Sequence, residues 1–410
     1  MLVSLVVLAS DYFFYQALRA VFFPVSQRTN LFFRQGYWIL TALWLLHLWG
    51  LVVYAHWFVG TEIRRYSIRY LFLVYGAKMV LVVLMLVRES WYWAQKIFRA
   101  IRKPPNPLPQ NRAISRSDFL AQAALLGGSL PLALMSYGIV WGGREYQVRR
   151  LKIYLPGLPA AFQGMRLGQI SDLHLGSFFD ARPVRQGVEV LLGEKPDIIC
   201  FTGDLVNYET AEAKPYFAIL QSLKAPLGVF SVLGNHDYGG YRKWPNAEAA
   251  RQNLRQMYAL HQALGWQLLC NAHVFLEENQ EKIALIGVEN WGIRKPHPRY
   301  GDVEKAKQGT AEASVRILLS HDPSHWEAQV QPLAPEIDLM LAGHTHGFQC
   351  GIEMGNWQWS PGQYIYPQWA GLYQAKAQQL YVNRGFGYAD IFPGRIGMPP
   401  EITVLELLKA

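Results

Sequence analysis

The chain has 410 residues, 51% of them hydrophobic, which is room for more than one domain and a sizeable core. Its formal charge is +9, but many of the basic residues lie between long apolar runs rather than on a soluble basic face, which argues against a nucleic-acid-binding protein. Three cysteines, Cys200, Cys270 and Cys350, are an odd number without metal-type spacing and exclude a full disulfide framework.

Four apolar stretches come first, at residues 2–23, 37–59, 70–87 and 119–141. Each approaches the ~20 residues that carry a helix across ~30 Å of hydrocarbon. The first holds Asp11, Gln16 and Arg19 and the third holds Lys78. Polar groups at membrane depth face other helices or the interface, and Asp11 and Lys78 are candidates to pair with each other. Residues 103–112 are a linker with Pro104, Pro105, Pro107 and Pro109, unfit for helix or sheet interiors. Residues 115–133 resemble a twin-arginine export signal in which Ser117 stands where the second arginine would be. The first and third connecting loops carry the larger share of Lys and Arg, so the positive-inside rule expects the chain beyond the fourth span to lie outside the cytoplasm. The expected division is a transmembrane helical region over 1–146 and a catalytic domain over 147–410.

From about residue 147 the pattern changes to short β-type runs, each ending in a loop rich in Asp, Asn, His and Gly. The run at 165–170 ends at Asp172 and His174, and that at 197–201 at Gly203 and Asp204. The run at 229–233 ends at Gly234, Asn235, His236 and Asp237, that at 315–319 at His321 and Asp322, and that at 337–341 at Gly343, His344 and His346. In α/β proteins, sites are built beyond the carboxyl ends of strands. Asp172 and His174 are two apart, as are His344 and His346, and in extended chain such pairs point the same way. Glycines beside them allow sharp turns. Carboxylate, imidazole and amide oxygen suit Mn, Fe or Zn. A single His or Gly-Asp in this set would read as a structural residue or a turn; five ordered blocks do not.

Asp172-x-His174, Gly203-Asp204, Gly234-Asn-His-Asp237, His321 and Gly343-His-x-His346 resemble the signature of the calcineurin-like metallophosphoesterases, over roughly residues 150–410. The apolar stretches make the chain similar to the membrane-anchored bacterial branch of that family. The resemblance implies an α/β fold in which two mixed β-sheets pack as a sandwich flanked by helices. It implies two divalent metal ions (Mn, Fe or Zn), one held by Asp172, His174 and His346, the other by Asn235, His321 and His344, with Asp204 bridging. It also implies hydrolysis of a phosphoester or pyrophosphate by a hydroxide bridging the metals, with His236 as the acid for the leaving oxygen and Asp237 orienting it.

Asn207 is a further candidate, either lining the cleft or capping a helix, and Arg384 one for contacting phosphate or forming a salt bridge. Trp357, Trp359, Tyr364, Tyr366 and Trp369 form either a rim facing membrane or substrate or a hairpin packed on itself. His261, His273, His297 and His325 read as structural. The expected partners are the lipid bilayer, as a bacterial inner-membrane protein, and a phosphorylated small molecule or lipid, with no nucleic acid. Two other readings are a cytoplasm-facing pyrophosphatase of the UDP-diacylglucosamine type and an inactive metal-binding sensor; the intact ligand set opposes the latter.

Overall fold

A computed structural model describes residues 2–22, 27–53, 70–101 and 141–410, apart from 295–296, 356 and 390–393, together with positions 63, 67, 134 and 136–138. The chain divides into two compact units between Tyr137 and Gly138. The division precedes the expected boundary at 146 because the intervening residues pack on the second unit. The Arg395 backbone N–H donates to the Gly138 carbonyl at 3.0 Å, and a Cβ at Gly142 would fall 2.1 Å from the Arg395 carbonyl oxygen.

In the first unit, helices α1 (Leu2–Phe22), α2 (Gln27–Val53) and α3 (Gly76–Ile101) overlap three of the apolar stretches. A π-helical turn, Leu71–Tyr75, leads into α3. The expected pairing of Asp11 with Lys78 is present, and Asp11 is fully buried. The Asp11 carboxylate also accepts from the Tyr37 hydroxyl at 2.8 Å, Thr41 Oγ1 at 2.8 Å and the Tyr75 hydroxyl at 3.0 Å. A buried carboxylate is tolerable only when paired and hydrogen-bonded in this way. Among the described residues no helix is long and apolar enough to cross a membrane. The fourth apolar stretch apart from a few C-terminal positions, the proline-rich linker and the export-signal-like segment lie outside the described residues.

The second unit holds two mixed six-stranded sheets. The first has the order β1 (Gln147–Leu155), β14 (Glu401–Lys409), β2 (Arg166–Ile170), β3 (Ile198–Phe201), β4 (Val229–Ser231), β5 (Gln267–Leu268). The second has the order β12 (Gly371–Ala375), β13 (Gln378–Val382), β9 (Leu339–Ala342), β8 (Arg316–Leu319), β7 (Glu281–Gly287), β6 (Ala272–Glu278). The apolar runs are buried on both faces, and their period of two decides which layer each side chain enters. On β3, Ile198 and Cys200 enter the layer between the sheets while Ile199 and Phe201 face helices Arg182–Gly193 and Ala247–Leu264. On β9, Leu339 and Leu341 enter the central layer while Met340 and Ala342 face outward to a third cluster around Trp326. Burying each large aliphatic side chain contributes about 2 kcal/mol, so these layers hold the sandwich together. Cys200 is a free, buried thiol in the central layer.

Strands β2, β3 and β4 run parallel, as do β8 and β9. The loops after them therefore gather the five ligand-bearing blocks together.

Candidate metal centre

Ligand atoms of Asp172, His174 and His346 lie within 4.8 Å of one another, and so do those of Asp204, His321 and His344. Asp204 stands between the two groups, its Oδ2 3.6 Å from His174 Nε2 and 3.1 Å from His321 Nε2. Within the groups, His344 Nδ1 is 3.2 Å from His321 Nε2, and His346 Nε2 is 3.0 Å from His174 Nε2.

The backbone that achieves this is not extended, as the two-residue spacing suggests. Asp172, His174, Asp204, His344 and His346 adopt φ of 55°, 47°, 60°, 69° and 54°. A left-handed residue with a side chain costs about 1 kcal/mol or more, and five of them on one cluster mark it as a functional site. The adjoining glycines serve close approach. A Cβ at Gly203, itself at φ 100°, would lie 2.5 Å from the Gly234 nitrogen, and one at Gly343 would lie 1.9 Å from Ser171 Oγ.

Hydrogen bonds at the rear of the imidazoles set their tautomers. His174 Nδ1 donates to Asn207 Oδ1 at 2.7 Å and His321 Nδ1 donates to the Thr202 carbonyl at 2.7 Å. Each ring therefore presents its Nε2 toward Asp204. His344 directs its other nitrogen, Nε2, to the Tyr366 hydroxyl at 2.9 Å and to Asp322 Oδ2 at 3.6 Å. Asn235 donates its Nδ2 to the Tyr241 hydroxyl at 2.8 Å, and its Oδ1 is buried without a hydrogen-bond partner. A buried unpaired acceptor needs an explanation. A divalent cation bound at this site would supply one, and the converging set of imidazole nitrogens, carboxylates and one amide oxygen fits borderline divalent metals.

The electrostatics agree. Burial pushes His174 down to about 3 and His344 to about 4, so both are neutral donors. Burial opposes charge on His321 as well, but Asp204 and Asp172 override it and raise this imidazole to about 10. A proton on His321 thus compensates the buried carboxylates in the position where a cation would do so. Burial alone would raise Asp204, yet His321 and His236 hold it well below the usual carboxylate range.

Two candidates have other jobs than the sequence suggests, and a third takes one of the two it offered. Asp237 does not orient His236; its two oxygens accept the backbone N–H groups of Gly234 (2.9 Å), Asp204 (2.9 Å) and Leu205 (2.8 Å). It ties the loop after β3 to the loop after β4. Asn207 is buried and its amide is spent on His174 and on Ser177 Oγ at 2.9 Å, so it faces neither cleft nor helix end. Its carbonyl accepts His236 Nδ1–H at 2.8 Å, the role expected of Asp237. Arg384 is buried and forms the salt bridge, pairing with Glu401 at 2.7 Å.

His236 has its Nδ1 fixed and its ring stacked on Tyr241, centroids 4.2 Å apart and planes at 25°. Tyr241 and Arg395 escaped the sequence analysis because neither lies at a motif position with a spacing signal, whereas Asp322 stood there beside His321 and Tyr366 in the aromatic rim. Arg395 is buried behind His346, and its guanidinium donates to the carbonyls of Arg384 (2.8 Å), Gly385 (2.9 Å) and Gly387 (2.6 Å). Outside the cluster, His261 bonds Ser231, His325 bonds Ser320 and Gln329, His273 bonds the Ala306 carbonyl, and His297 faces Asp322.

Residues 165–348 match the family model described as calcineurin-like phosphoesterase, and residues 1–143 match that described as probable calcineurin-like phosphoesterase, transmembrane domain. The chain is 30% identical over 256 residues to the uncharacterized metallophosphoesterase YkuE of Bacillus subtilis, covering 61% of this chain and 81% of the relative. It is 29% identical over 320 residues to the transmembrane protein with metallophosphoesterase domain of Danio rerio, covering 73% and 68%. It is 28% identical over 308 residues to the UDP-2,3-diacylglucosamine pyrophosphatase LpxG of Chlamydia trachomatis, covering 64% and 89%. The chain belongs to the calcineurin-like phosphoesterase family and is a metal-dependent phosphoester hydrolase that carries the family's transmembrane domain.

Proposed function

We propose that the protein hydrolyses a phosphoester or pyrophosphate bond of a lipid-linked substrate at the bacterial inner membrane, with the catalytic unit outside the cytoplasm. The observation that carries the reading is Asp204 within 3.6 Å of His174 Nε2 and 3.1 Å of His321 Nε2, with Asn235 Oδ1 buried and unpartnered. Asp172, His174 and His346 would hold one divalent cation, Asn235, His321 and His344 a second, and Asp204 both. When bound, such cations supply the Lewis acidity that activates water and neutralises charge on the phosphoryl oxygens. Around them the chain's own residues orient and transfer protons. Asn207 keeps the His236 Nδ1 proton engaged, which leaves Nε2 to carry the proton that a leaving oxygen requires. The family's transmembrane domain supports a substrate that stays in the bilayer, because anchoring confines enzyme and lipid to one surface.

The second reading, a cytoplasm-facing pyrophosphatase acting on a nucleotide-linked lipid, is favoured by the likeness to LpxG. A topology reporter fused at the C-terminus separates the two readings. The catalytic test is a panel of aryl, alkyl and lipid phosphates with purified protein loaded with Mn, Fe or Zn, against Asp204→Asn as the inactive control. No turnover of any ester by the loaded wild type would sink the hydrolase mechanism. Turnover confined to water-soluble esters would sink the lipid substrate.

A further inference from the structure

Between the metal ligand His346 and β12 the chain forms a separate two-stranded sheet, β10 (Ile352–Met354) and β11 (Trp357–Trp359). Its antiparallel register pairs Ile352 with Trp359, Glu353 with Gln358 and Met354 with Trp357. Side chains alternate along a strand, so Ile352, Met354, Trp357 and Trp359 share one face and Glu353 and Gln358 the other. The hairpin is packed inside out. Its polar face is turned inward: Glu353 pairs with Arg149 at 2.7 Å and with Arg384 at 3.3 Å, and Gln358 Oε1 accepts from Arg384 Nη2 at 2.5 Å. Its apolar face is turned out, with Ile352 47%, Met354 66% and Trp357 52% exposed. A sheet on a soluble domain ordinarily does the reverse.

Two neighbours extend this face. Tyr364, 76% exposed, accepts from Trp359 Nε1 at 3.4 Å. Phe348, 45% exposed, lies against Gly362, where a Cβ would meet the Phe348 Cβ at 3.2 Å. Phe348 belongs to a run in which His346, Gly347, Phe348 and Gln349 all have positive φ (54°, 56°, 61°, 56°). Left-handed residues other than glycine cost about 1–2 kcal/mol each. The chain therefore carries strain in a turn that presents an aromatic ring to the surroundings two residues beyond a metal ligand.

We propose that this face docks on the interface of a lipid bilayer and seats the mouth of the metal centre at the level of lipid phosphates. The proposal rests on the reading of the protein as a hydrolase of a membrane-borne phosphate and adds the surface that meets the membrane. Trp and Tyr with Ile, Met and Phe, and no charged side chain on the outward face of the hairpin, are the set that partitions to the interface. The chain carries the family's transmembrane domain, so a bilayer is an apolar phase always within reach of the catalytic unit. The hairpin is also tied to the site. Ser360 Oγ donates to the Gly347 carbonyl at 2.9 Å, Thr345 Oγ1 to the Trp369 carbonyl at 2.7 Å, and Tyr366 meets His344 at 2.9 Å. Docking one end therefore sets the height of the other.

The test uses the full-length protein reconstituted in phosphatidylcholine vesicles whose acyl chains carry doxyl quenchers, with labelling of native cysteines subtracted by a wild-type control. A bimane on Met354→Cys is expected to lose at least about half its fluorescence relative to quencher-free vesicles, while a bimane on Glu248→Cys, on the exposed first turn of Ala247–Leu264, keeps its signal. No quenching at 354 overturns the proposal, whether the face is then found against the chain's own helices or against a second copy. A second arm measures Ile352→Ser/Met354→Ser/Trp357→Ser. Its apparent KM for a lipid phosphate in vesicles should rise about tenfold or more through lost apolar insertion. An equal loss on soluble p-nitrophenyl phosphate would make the hairpin a support of the site and overturn docking. A wild type that hydrolyses no ester would instead strike the functional reading, and the quenching arm would still decide the docking.

Discussion

Asn207 Oδ1 receives the Nδ1 proton of His174 at 2.7 Å, and the carbonyl of the same residue receives that of His236 at 2.8 Å. One buried residue thus sets the tautomer of a proposed ligand and of the proposed acid. Asn207→Ala is expected to weaken metal binding by about 10–100-fold, the usual cost of losing a partner behind a ligand. Asn207→Asp, which keeps the acceptor, should recover most of it. Calorimetric titration with Mn or Zn reads both; wild-type affinity in the alanine variant would contradict the role.

If His236 protonates the leaving oxygen, the damage done by His236→Ala depends on what leaves. Aryl phosphates, whose leaving groups need little protonation, should lose far less than alkyl phosphates, which should fall about 100-fold or more. A plot of kcat/KM against leaving-group pKa should steepen in the variant. Equal losses across the series would assign His236 to structure instead.

Arg384 is held by Glu401 rather than aimed at substrate. Arg384→Met is therefore expected to lower unfolding stability by about 3 kcal/mol, since it leaves a buried carboxylate short of a partner, with KM for phosphate esters near the wild-type value. Glu401 keeps Arg149 Nε at 2.9 Å and the Tyr381 hydroxyl at 2.8 Å, which limits the loss. A large rise in KM at unchanged melting temperature would restore the phosphate-contact role.

Burial pushes His261 down to about 3, while the unfolded chain keeps an ordinary value near ~6.5. Between those values the unfolded state binds the extra proton, so the contribution is complete above ~6.5 and is lost as pH falls, at about 1.4 kcal/mol per pH unit. His261→Phe should flatten the difference in stability between pH 7 and pH 5 by about 2 kcal/mol. Denaturant unfolding at the two pH values checks this, and an unchanged difference would count against it.

In the helical unit Asp11 is enclosed by Lys78 and three hydroxyls. Asp11→Lys or Lys78→Asp alone buries like charges and should abolish accumulation of folded protein, whereas the double exchange should recover a substantial part of it. Folded yield after detergent extraction reads the outcome. No recovery in the double exchange would mean that the hydroxyl geometry around Asp11, not its charge pairing, dominates.

The apolar runs that each stop at Asp, Asn, Gly or His are written locally, so the strands and the candidate ligands beyond them could be read from the sequence, whereas the two-sheet sandwich followed from the family resemblance. The sequence carried the pairing of Asp11 with Lys78 because isolated opposite charges in apolar helices have few other partners. The backbone at the ligands was not legible, since five left-handed residues arise from tertiary enforcement and no propensity encodes them. The roles of Asp237 and Asn207 were exchanged for a related reason. A motif names neighbours along the chain, whereas the acceptor for His236 lies 29 residues away. Tyr241 and Arg395 reach the centre from loops whose spacing carries no signal.

The two oxygens of Asp237 clamp backbone amides from the loops that carry Asp204 and Asn235. The distance between those two donors is consequently set when the chain folds, not when an ion arrives. A frame assembled in advance does not widen for a larger ion or contract for a smaller one. Selection among divalent ions would then be a matter of radius.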